Sequence, residues 1–119
     1  MTISLSGAVL SSEHSGRAGD YQESAIVNGH PSWINAYNAI WWNDDAADWA
    51  VGNIEDRGSA YCGISADIGS ATCPNSISSS NWDYYNGASW VSFSSSVISV
   101  TCSQAKGKKN SSCIIDTYT

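Results

Sequence analysis

Few residues in this sequence could carry out acid–base or nucleophilic chemistry. The chain has only two histidines, His14 and His30. Imidazole is the most common general base near neutral pH, but catalysis also needs a nucleophile or metal ligand at a recognisable spacing. The sequence contains no His-Glu-x-x-His, no Gly-x-Ser-x-Gly and no glycine-rich phosphate loop. We therefore predict a non-catalytic protein without a cofactor, in which His30, next to Pro31, is a turn residue.

Oxygen-bearing side chains cluster in one short acidic segment. Asn43, Asp44, Asp45 and Asp48 follow a run of apolar residues. Carboxylate and amide oxygens are the ligands that Ca²⁺ prefers, but their spacing here is not that of an EF-hand loop. We predict a solvated acidic turn and no metal site, and we keep Asp44, Asp45 and Asp48 as weak metal candidates only.

Aromatic residues are the more informative group. The chain has six tryptophans and six tyrosines. Their rings stack on apolar faces of ligands such as sugars, while neighbouring Asp and Asn side chains bond the hydroxyl groups. The segment NWDYYNGASW (81–90) has this composition, and so does the region around residues 33–37. The candidate ligand-binding residues are Trp33, Tyr37, Trp41, Tyr84 and Tyr85.

The elements that must position these side chains are predicted to be β-strands. The segments TISLSGAVL and WVSFSSSVISVTC alternate apolar and polar residues, and no segment shows a convincing helical period. Clusters of Gly, Asn and Ser separate the strand-like segments at short intervals. This pattern predicts an all-β fold, a small antiparallel sandwich or barrel-like domain stabilised by disulfides, that spans residues 1–119 as a single domain.

The stretch AIWWNDDAADWAVG (39–52) is predicted to be a hairpin with two different faces. Successive side chains point to opposite sides of a strand. The simplest pairing places Ile40, Trp42, Trp49 and Val51 in the core and leaves Trp41 on the outer face. Trp41 would then be exposed and free to contact a ligand, unless a second sheet or a loop covers it.

Composition limits the classes of partner. The net charge is −6, from five basic and eleven acidic residues, which disfavours nucleic acid. No apolar run approaches the roughly 20 residues of a membrane-spanning helix, so membrane insertion is not expected. The N-terminal MTISLSGAVLSS lacks the features of a signal peptide. Export would then require that a leader has been removed or that another route is used.

The four cysteines favour an extracellular setting. An even number of cysteines, without Cys-x-x-Cys spacing, predicts two disulfides in a small domain poor in charged residues. Free buried cysteines are the alternative. Asn110 begins the sequence Asn-Ser-Ser, an N-glycosylation motif that agrees with secretion.

The order of motifs resembles a small extracellular β module that recurs in secreted and surface proteins of algae, oomycetes and marine invertebrates. The resemblance covers about residues 19–102. The matching segments read Gly-Asp-Tyr (19–21), Asn-Gly-His-Pro-Ser-Trp (28–33), Ile-Trp-Trp (40–42), Trp-Ala-Val-Gly (49–52), Cys-Pro (73–74), Trp82, Gly-Ala-Ser-Trp (87–90) and Val-Thr-Cys (100–102). His30 and Trp33 replace a frequent Arg and Tyr.

Most of these motif residues have framework roles. Asn28-Gly29 is typical of a tight hairpin turn with positive φ, and Gly52 is expected to end its strand. The resemblance therefore implies a fold more than an activity. It also implies a Cys73–Cys102 disulfide, which leaves Cys62 with Cys113. Pairing of Cys62 with Cys73 and of Cys102 with Cys113 is the alternative.

Taken together, these patterns favour a non-catalytic extracellular module with a structural, adhesive or matrix-associating role. The expected partners are like modules, through self-association, or an extracellular polysaccharide. The alternative is a carbohydrate-binding, lectin-like domain that uses exposed Trp and Tyr side chains.

Overall fold

The computed structural model describes residues 1–66, 73–93 and 96–101. These residues form an all-β fold of two antiparallel sheets, as predicted. The strands are β1 (Thr2–Gly7), β2 (Gly19–Asp20), β3 (Gln22–Glu23), β4 (Trp33–Ile34), β5 (Asn38–Asn43), β6 (Asp48–Asn53), β7 (Ile64–Ala66), β8 (Trp82–Tyr85), β9 (Trp90–Ser92) and β10 (Ser96–Thr101). Short 3₁₀ turns occupy Ala8–Ser11, Glu13–Arg17, Ile54–Asp56, Pro74–Ser76 and Ser79–Asn81.

The two sheets differ in how their strands are connected. Strands β3 to β9 follow one another in sequence order across the seven-stranded sheet, so every neighbouring pair is antiparallel and joined by a local connection. The three-stranded sheet has the order β10-β1-β2, which brings the two ends of the described chain together. Among the described residues, no helix is long and apolar enough to cross a membrane.

The predicted hairpin forms with the predicted register. Ile40 lies opposite Val51, and Trp42 lies opposite Trp49. The turn between β5 and β6 is stabilised at its start, where the Asn43 Oδ1 accepts a hydrogen bond of 3.1 Å from the backbone N–H of Asp45. The acidic segment is therefore a turn, and its tight geometry agrees with its Asn and Asp content.

The Asn28-Gly29 pair also forms the predicted tight turn. Both residues have positive φ, 53° and 82°, and Val27 and His30 exchange two backbone hydrogen bonds across them. Glycine adopts this conformation without a steric penalty, and asparagine tolerates it better than most residues do. The Asn28 side chain then donates to the carbonyl oxygens of Trp42 and Gly58, which ties the turn to two other parts of the fold.

One apolar cluster joins the two sheets. It contains the four inner residues of the hairpin, together with further buried side chains from both sheets. Trp33, Trp49 and Trp82 are its largest fully buried members. Because indole rings remove so much apolar area from water, these three residues dominate a core of this size.

The predicted exposure of Trp41 is wrong. Trp41 does point away from the main core, but it is fully buried in a second cluster with Ala39 and Ala50. We call residues 54–62 the cover loop, because this segment packs over that cluster. The Trp41 Nε1 donates a hydrogen bond of 2.9 Å to the carbonyl oxygen of Ser59 in the cover loop. Burial of both faces of β5 is the physical reason for the error.

The prediction that Gly52 ends its strand is wrong. It lies inside β6, where a β-carbon would come within 2.9 Å of the Trp41 ring and 3.1 Å of the Cys62 α-carbon. Glycine is needed here because the indole of Trp41 and the cover loop approach the backbone closely.

The cysteine predictions have separate outcomes. Cys62 carries a free thiol, packed half-buried at the edge of the Trp41 cluster. Because the Cys62 thiol is free, the predicted Cys62–Cys113 disulfide is not formed; Cys113 itself lies outside the described residues. Cys73 is disulfide-bonded. Its predicted partner, Cys102, lies outside the described residues, as does Asn110 of the glycosylation motif, so the Cys73–Cys102 pairing stays a prediction.

Candidate functional site

The outer face of the seven-stranded sheet is covered over β5 and β6 but open over β7 to β9. Strand register places Gly63, Tyr85 and Trp90 in one row across this face, since Tyr84 lies opposite Ile64 and Trp90 lies opposite Tyr85. Ser65 and Asp83 lie in the neighbouring row. This face carries the candidate site.

The 3₁₀ turn Glu13–Arg17 closes one side of the open face. The Ser12 Oγ accepts a hydrogen bond from the backbone N–H of His14 and so caps the turn. At the other end, the Tyr21 hydroxyl donates a hydrogen bond of 2.6 Å to the carbonyl oxygen of Arg17. The turn places the His14 imidazole directly on the α-carbon of Gly63, where a β-carbon would overlap the ring.

Arg17 is the central polar residue of the site. Its Nε donates to the His14 Nδ1 at 3.1 Å, and its Nη1 donates to the Oδ1 atoms of Asn38 and Asn53 at 2.7 and 3.1 Å. All three acceptors are uncharged. Among the described residues no carboxylate lies within ion-pair distance of the guanidinium, and its Nη2 has no hydrogen-bond partner. The positive charge and the Nη2 donors therefore remain available to a ligand.

His14 has an unused hydrogen-bonding atom. The residue is only 4% exposed, and its Nε2 has no hydrogen-bond partner among the described residues. The nearest charged atom, the Glu13 Oε2, is 3.9 Å away, too far for a hydrogen bond. Because Nδ1 accepts from Arg17, Nε2 carries the proton in the neutral ring. This donor is buried and therefore not accessible to a ligand, and an interaction with the Tyr85 backbone partly offsets the lowering of the His14 pKa by burial.

These residues line a cleft of about 620 Å³, which we call the tyrosine cleft. Tyr37 and Tyr61 stand at its rim with 80% and 77% of their surface exposed, and the half-buried Tyr85 also lines it. Glu13, His14, Arg17, Asn38, Asn53 and Asp56 supply its polar groups. Exposed aromatic rings around a few convergent polar groups are typical of a small-molecule binding site.

A second cleft adjoins the tyrosine cleft on the same face; we call it the Trp90 cleft. Its volume is about 500 Å³, and Cys62 lines both clefts. The two are also joined by an aromatic pair, because the ring centroids of Tyr85 and Trp90 are 5.5 Å apart. The remaining lining residues are Asn43, Asp45, Ala46, Asp48, Ala60, Ser65 and Asp83.

The structure separates the predicted ligand-binding residues into two groups. Trp33, Trp41 and Tyr84 are at most 5% exposed, so they have no surface to offer a ligand. Tyr37 and Tyr85 are accessible and line the same cleft. Tyr84 and Tyr85 are adjacent in sequence but lie on opposite faces of β8, because successive side chains of a strand alternate. Tyr84 faces the core, whereas Tyr85 faces the cleft.

Sequence reasoning missed much of this site. Tyr61, Arg17 and His14 were not among the binding candidates, and Trp90 was assigned a framework role although it is 47% exposed. The sequence contains a weak indication that Tyr61 is exposed, because it is a lone aromatic residue between turn-forming segments. No local pattern in the sequence predicts the Arg17–His14 contact, because the position of His14 depends on Gly63, which is distant in sequence.

The weak metal candidates Asp44, Asp45 and Asp48 do not form a recognisable ion site. In the part of the chain that the structure describes, no group of three or more His, Cys, Asp or Glu side chains is arranged to hold a metal. Asp45 and Asp48 instead line the Trp90 cleft.

Burial dominates the electrostatics of the site. It lowers the pKa of His14, and the Arg17 guanidinium lowers this pKa further. Burial, followed by the Asp48 carboxylate, raises the pKa of the Cys62 thiol to about 12, so this sulfur stays a thiol and is a poor nucleophile. His30, which stacks on Trp42 with centroids 4.6 Å apart, also has a pKa lowered by burial.

The two histidines predict how stability depends on pH. In the unfolded chain each imidazole takes up a proton near pH 6.5, whereas in the folded protein it does so only at lower pH. In that interval the unfolded state binds more protons, so stability is lost as pH falls below about 6.5. We expect Tm to decrease between about pH 7 and about pH 5, and His14→Gln to flatten part of this decrease. A parent Tm that stays constant over this interval would contradict the assignment.

Comparison of the chain with protein-family models, with curated proteins and with solved structures finds no match.

Proposed function

We propose that this protein is a non-catalytic extracellular module that associates with a matrix by binding a carbohydrate in the tyrosine cleft. One observation carries the proposal: two highly exposed tyrosines flank a cleft whose guanidinium keeps an unused Nη2. Tyrosine rings offer a flat apolar surface for a sugar ring, and Tyr37 and Tyr61 have no other visible structural use in the described fold.

The polar groups of the cleft match the hydrogen-bonding needs of sugar hydroxyls. A hydroxyl both donates and accepts. Arg17 Nη2 supplies donors, while the carboxylates of Glu13 and Asp56 supply acceptors in the same cleft. Two carboxylates against one guanidinium make the cleft unsuited to strongly anionic ligands.

The proposal includes no catalytic step. His14 is the only imidazole that lines the cleft among the described residues. Its Nδ1 already accepts from Arg17, and its Nε2 lies beneath the surface. It is therefore placed to position Arg17 and not to exchange protons with a bound substrate.

The proposal places the module outside the cell, because matrix polysaccharides are found there. The disulfide at Cys73 agrees with an oxidising compartment. The resemblance to small extracellular modules also favours an extracellular location, and the proposal includes this resemblance.

A glycan array probed with the labelled protein tests the proposal, followed by calorimetric titration of the polysaccharides that bind. Tyr61→Ala and Tyr37→Ala are each expected to weaken binding by about tenfold, equivalent to about 1.4 kcal/mol. Both residues are exposed, so the free energy of unfolding should change by less than about 0.5 kcal/mol.

Ile26→Ala is the matched control, because Ile26 is also exposed, at 63%, but does not line the cleft. It should bind like the parent protein. Absence of any carbohydrate ligand on the array, or equal binding by all three variants, would reject the proposed function. Concentration-dependent oligomerisation without glycan binding would favour the self-associating module instead.

A further inference from the structure

We infer that the tyrosine cleft and the Trp90 cleft form one continuous groove that binds an extended, uncharged, β-linked polysaccharide chain, with Trp90 as a second stacking surface. The inference rests on the proposed function and adds to it the length and charge class of the ligand.

Continuity of the groove follows from the sheet register. Gly63, which directly precedes β7, lies beside Tyr85 of β8, and Tyr85 lies beside Trp90 of β9, so no other side chain of this row separates them. Tyr85 faces the tyrosine cleft, Trp90 lines the Trp90 cleft, and their rings contact each other.

The length of this surface exceeds one sugar ring. Neighbouring strands lie about 4.8 Å apart, so the three strands of the open face, from β7 to β9, span roughly 10 Å. A groove that is open along its length accommodates an extended β-linked chain, whereas a branched or compact sugar would occupy only one cleft.

Each cleft contains polar side chains that can bond the hydroxyl groups of a sugar. In the tyrosine cleft these include the Arg17 guanidinium, whose Nη2 makes no hydrogen bond among the described residues. In the Trp90 cleft they include the Asn43 side-chain amide, whose Oδ1 accepts from the Asp45 backbone N–H. Polar groups at two places along one groove suit a ligand with repeated hydroxyl groups.

The charges along the groove determine whether a charged or an uncharged polysaccharide can bind. Glu13 and Asp56 line one cleft, and Asp45, Asp48 and Asp83 line the other, whereas Arg17 is the only cation among the described lining residues. Polyanionic chains such as polyuronates would be repelled along most of this length. An uncharged chain meets these carboxylates as hydrogen-bond acceptors.

The test is a comparison of chain lengths. Oligomers of glucose (the cello series) and of N-acetylglucosamine (the chito series), from two to six units, are titrated against the parent protein. In at least one series we expect the affinity to rise by about tenfold or more from dimer to pentamer, equivalent to about 1.4 kcal/mol. Oligogalacturonates of the same lengths should bind at least about tenfold more weakly.

Trp90→Ala is the decisive variant. It should bind the dimer like the parent but lose the gain with chain length, and Trp90→Phe should restore part of that gain. Because Trp90 is half-exposed on an edge strand, both variants should fold, as checked by their Tm. Tyr61→Ala, in contrast, should lose the dimer as well.

The outcomes separate the two proposals. Dimer binding that depends on Tyr61, with no gain in length or with the same gain in Trp90→Ala, would overturn the continuous groove and leave the proposed function in place. Failure of both neutral series, or preferred binding of oligogalacturonate, would overturn the inferred ligand class. Absence of binding to any glycan would reject both proposals.

Discussion

Replacing Trp41 by alanine is expected to lower the free energy of unfolding by about 3–5 kcal/mol, as much as replacing Trp49. Both indoles are fully buried, although they lie on opposite faces of the same hairpin. Loss of Trp41 would leave a cavity beneath the cover loop and would leave the carbonyl oxygen of Ser59 without its indole donor. Small domains have a total stability of only about 5–15 kcal/mol, so the loss is severe.

Chemical denaturation of Trp41→Ala, Trp49→Ala and Tyr37→Ala measures this effect. Tyr37 is the matched control, because it is an aromatic residue close to the start of the same strand and is 80% exposed. Its removal should change stability by less than about 0.5 kcal/mol. If Trp41→Ala does not fold, Trp41→Phe is informative, since it keeps most of the ring but loses the 2.9 Å hydrogen bond, at a cost of about 1 kcal/mol or more. Parent-like stability of Trp41→Ala would show that the cover loop does not pack on it in solution.

Replacing Gly63 by alanine is expected to destabilise the protein by about 1–3 kcal/mol and to weaken ligand binding, because the new β-carbon would overlap the His14 imidazole. Displacement of the ring also removes the acceptor that holds the Arg17 Nε. The same substitution at Gly16 should cost almost nothing, since a β-carbon there meets no atom within 4 Å, although Gly16 lines the same cleft.

A double-mutant cycle isolates the contact. In a His14→Ala background the space above Gly63 is empty, so the further change Gly63→Ala should cost about 1 kcal/mol less than it does in the parent. Additive costs in the two backgrounds would mean that the imidazole does not rest on Gly63. In that case the geometry of Arg17 would need another explanation.

Local sequence patterns were sufficient for the elements of the fold. The Asn28-Gly29 turn, the β5–β6 hairpin and its inner face were all predicted correctly. Each depends on interactions between residues close in sequence: two adjacent residues that tolerate positive φ, and an alternation that must keep one set of apolar side chains together.

The errors came from contacts between segments distant in sequence. Alternation correctly placed Trp41 opposite the main core, but alternation does not tell whether the outer face is covered. The cover loop decided this, through Ser59 and Cys62. Trp90 shows the opposite case: a motif residue with a predicted framework role lies half-exposed, because its strand is at the edge of the sheet.

The sequence by itself determined the all-β class, the turns and the inner face of the hairpin, since these follow from backbone preference and from the period of the apolar residues. Only the tertiary structure decided which aromatic side chains reach solvent and which polar groups meet. The tyrosine cleft combines a 3₁₀ turn near residue 15, a loop near residue 60 and a strand near residue 84. Their meeting depends on long-range packing, in particular on a glycine that leaves room for an imidazole, and no local pattern in the sequence records that contact.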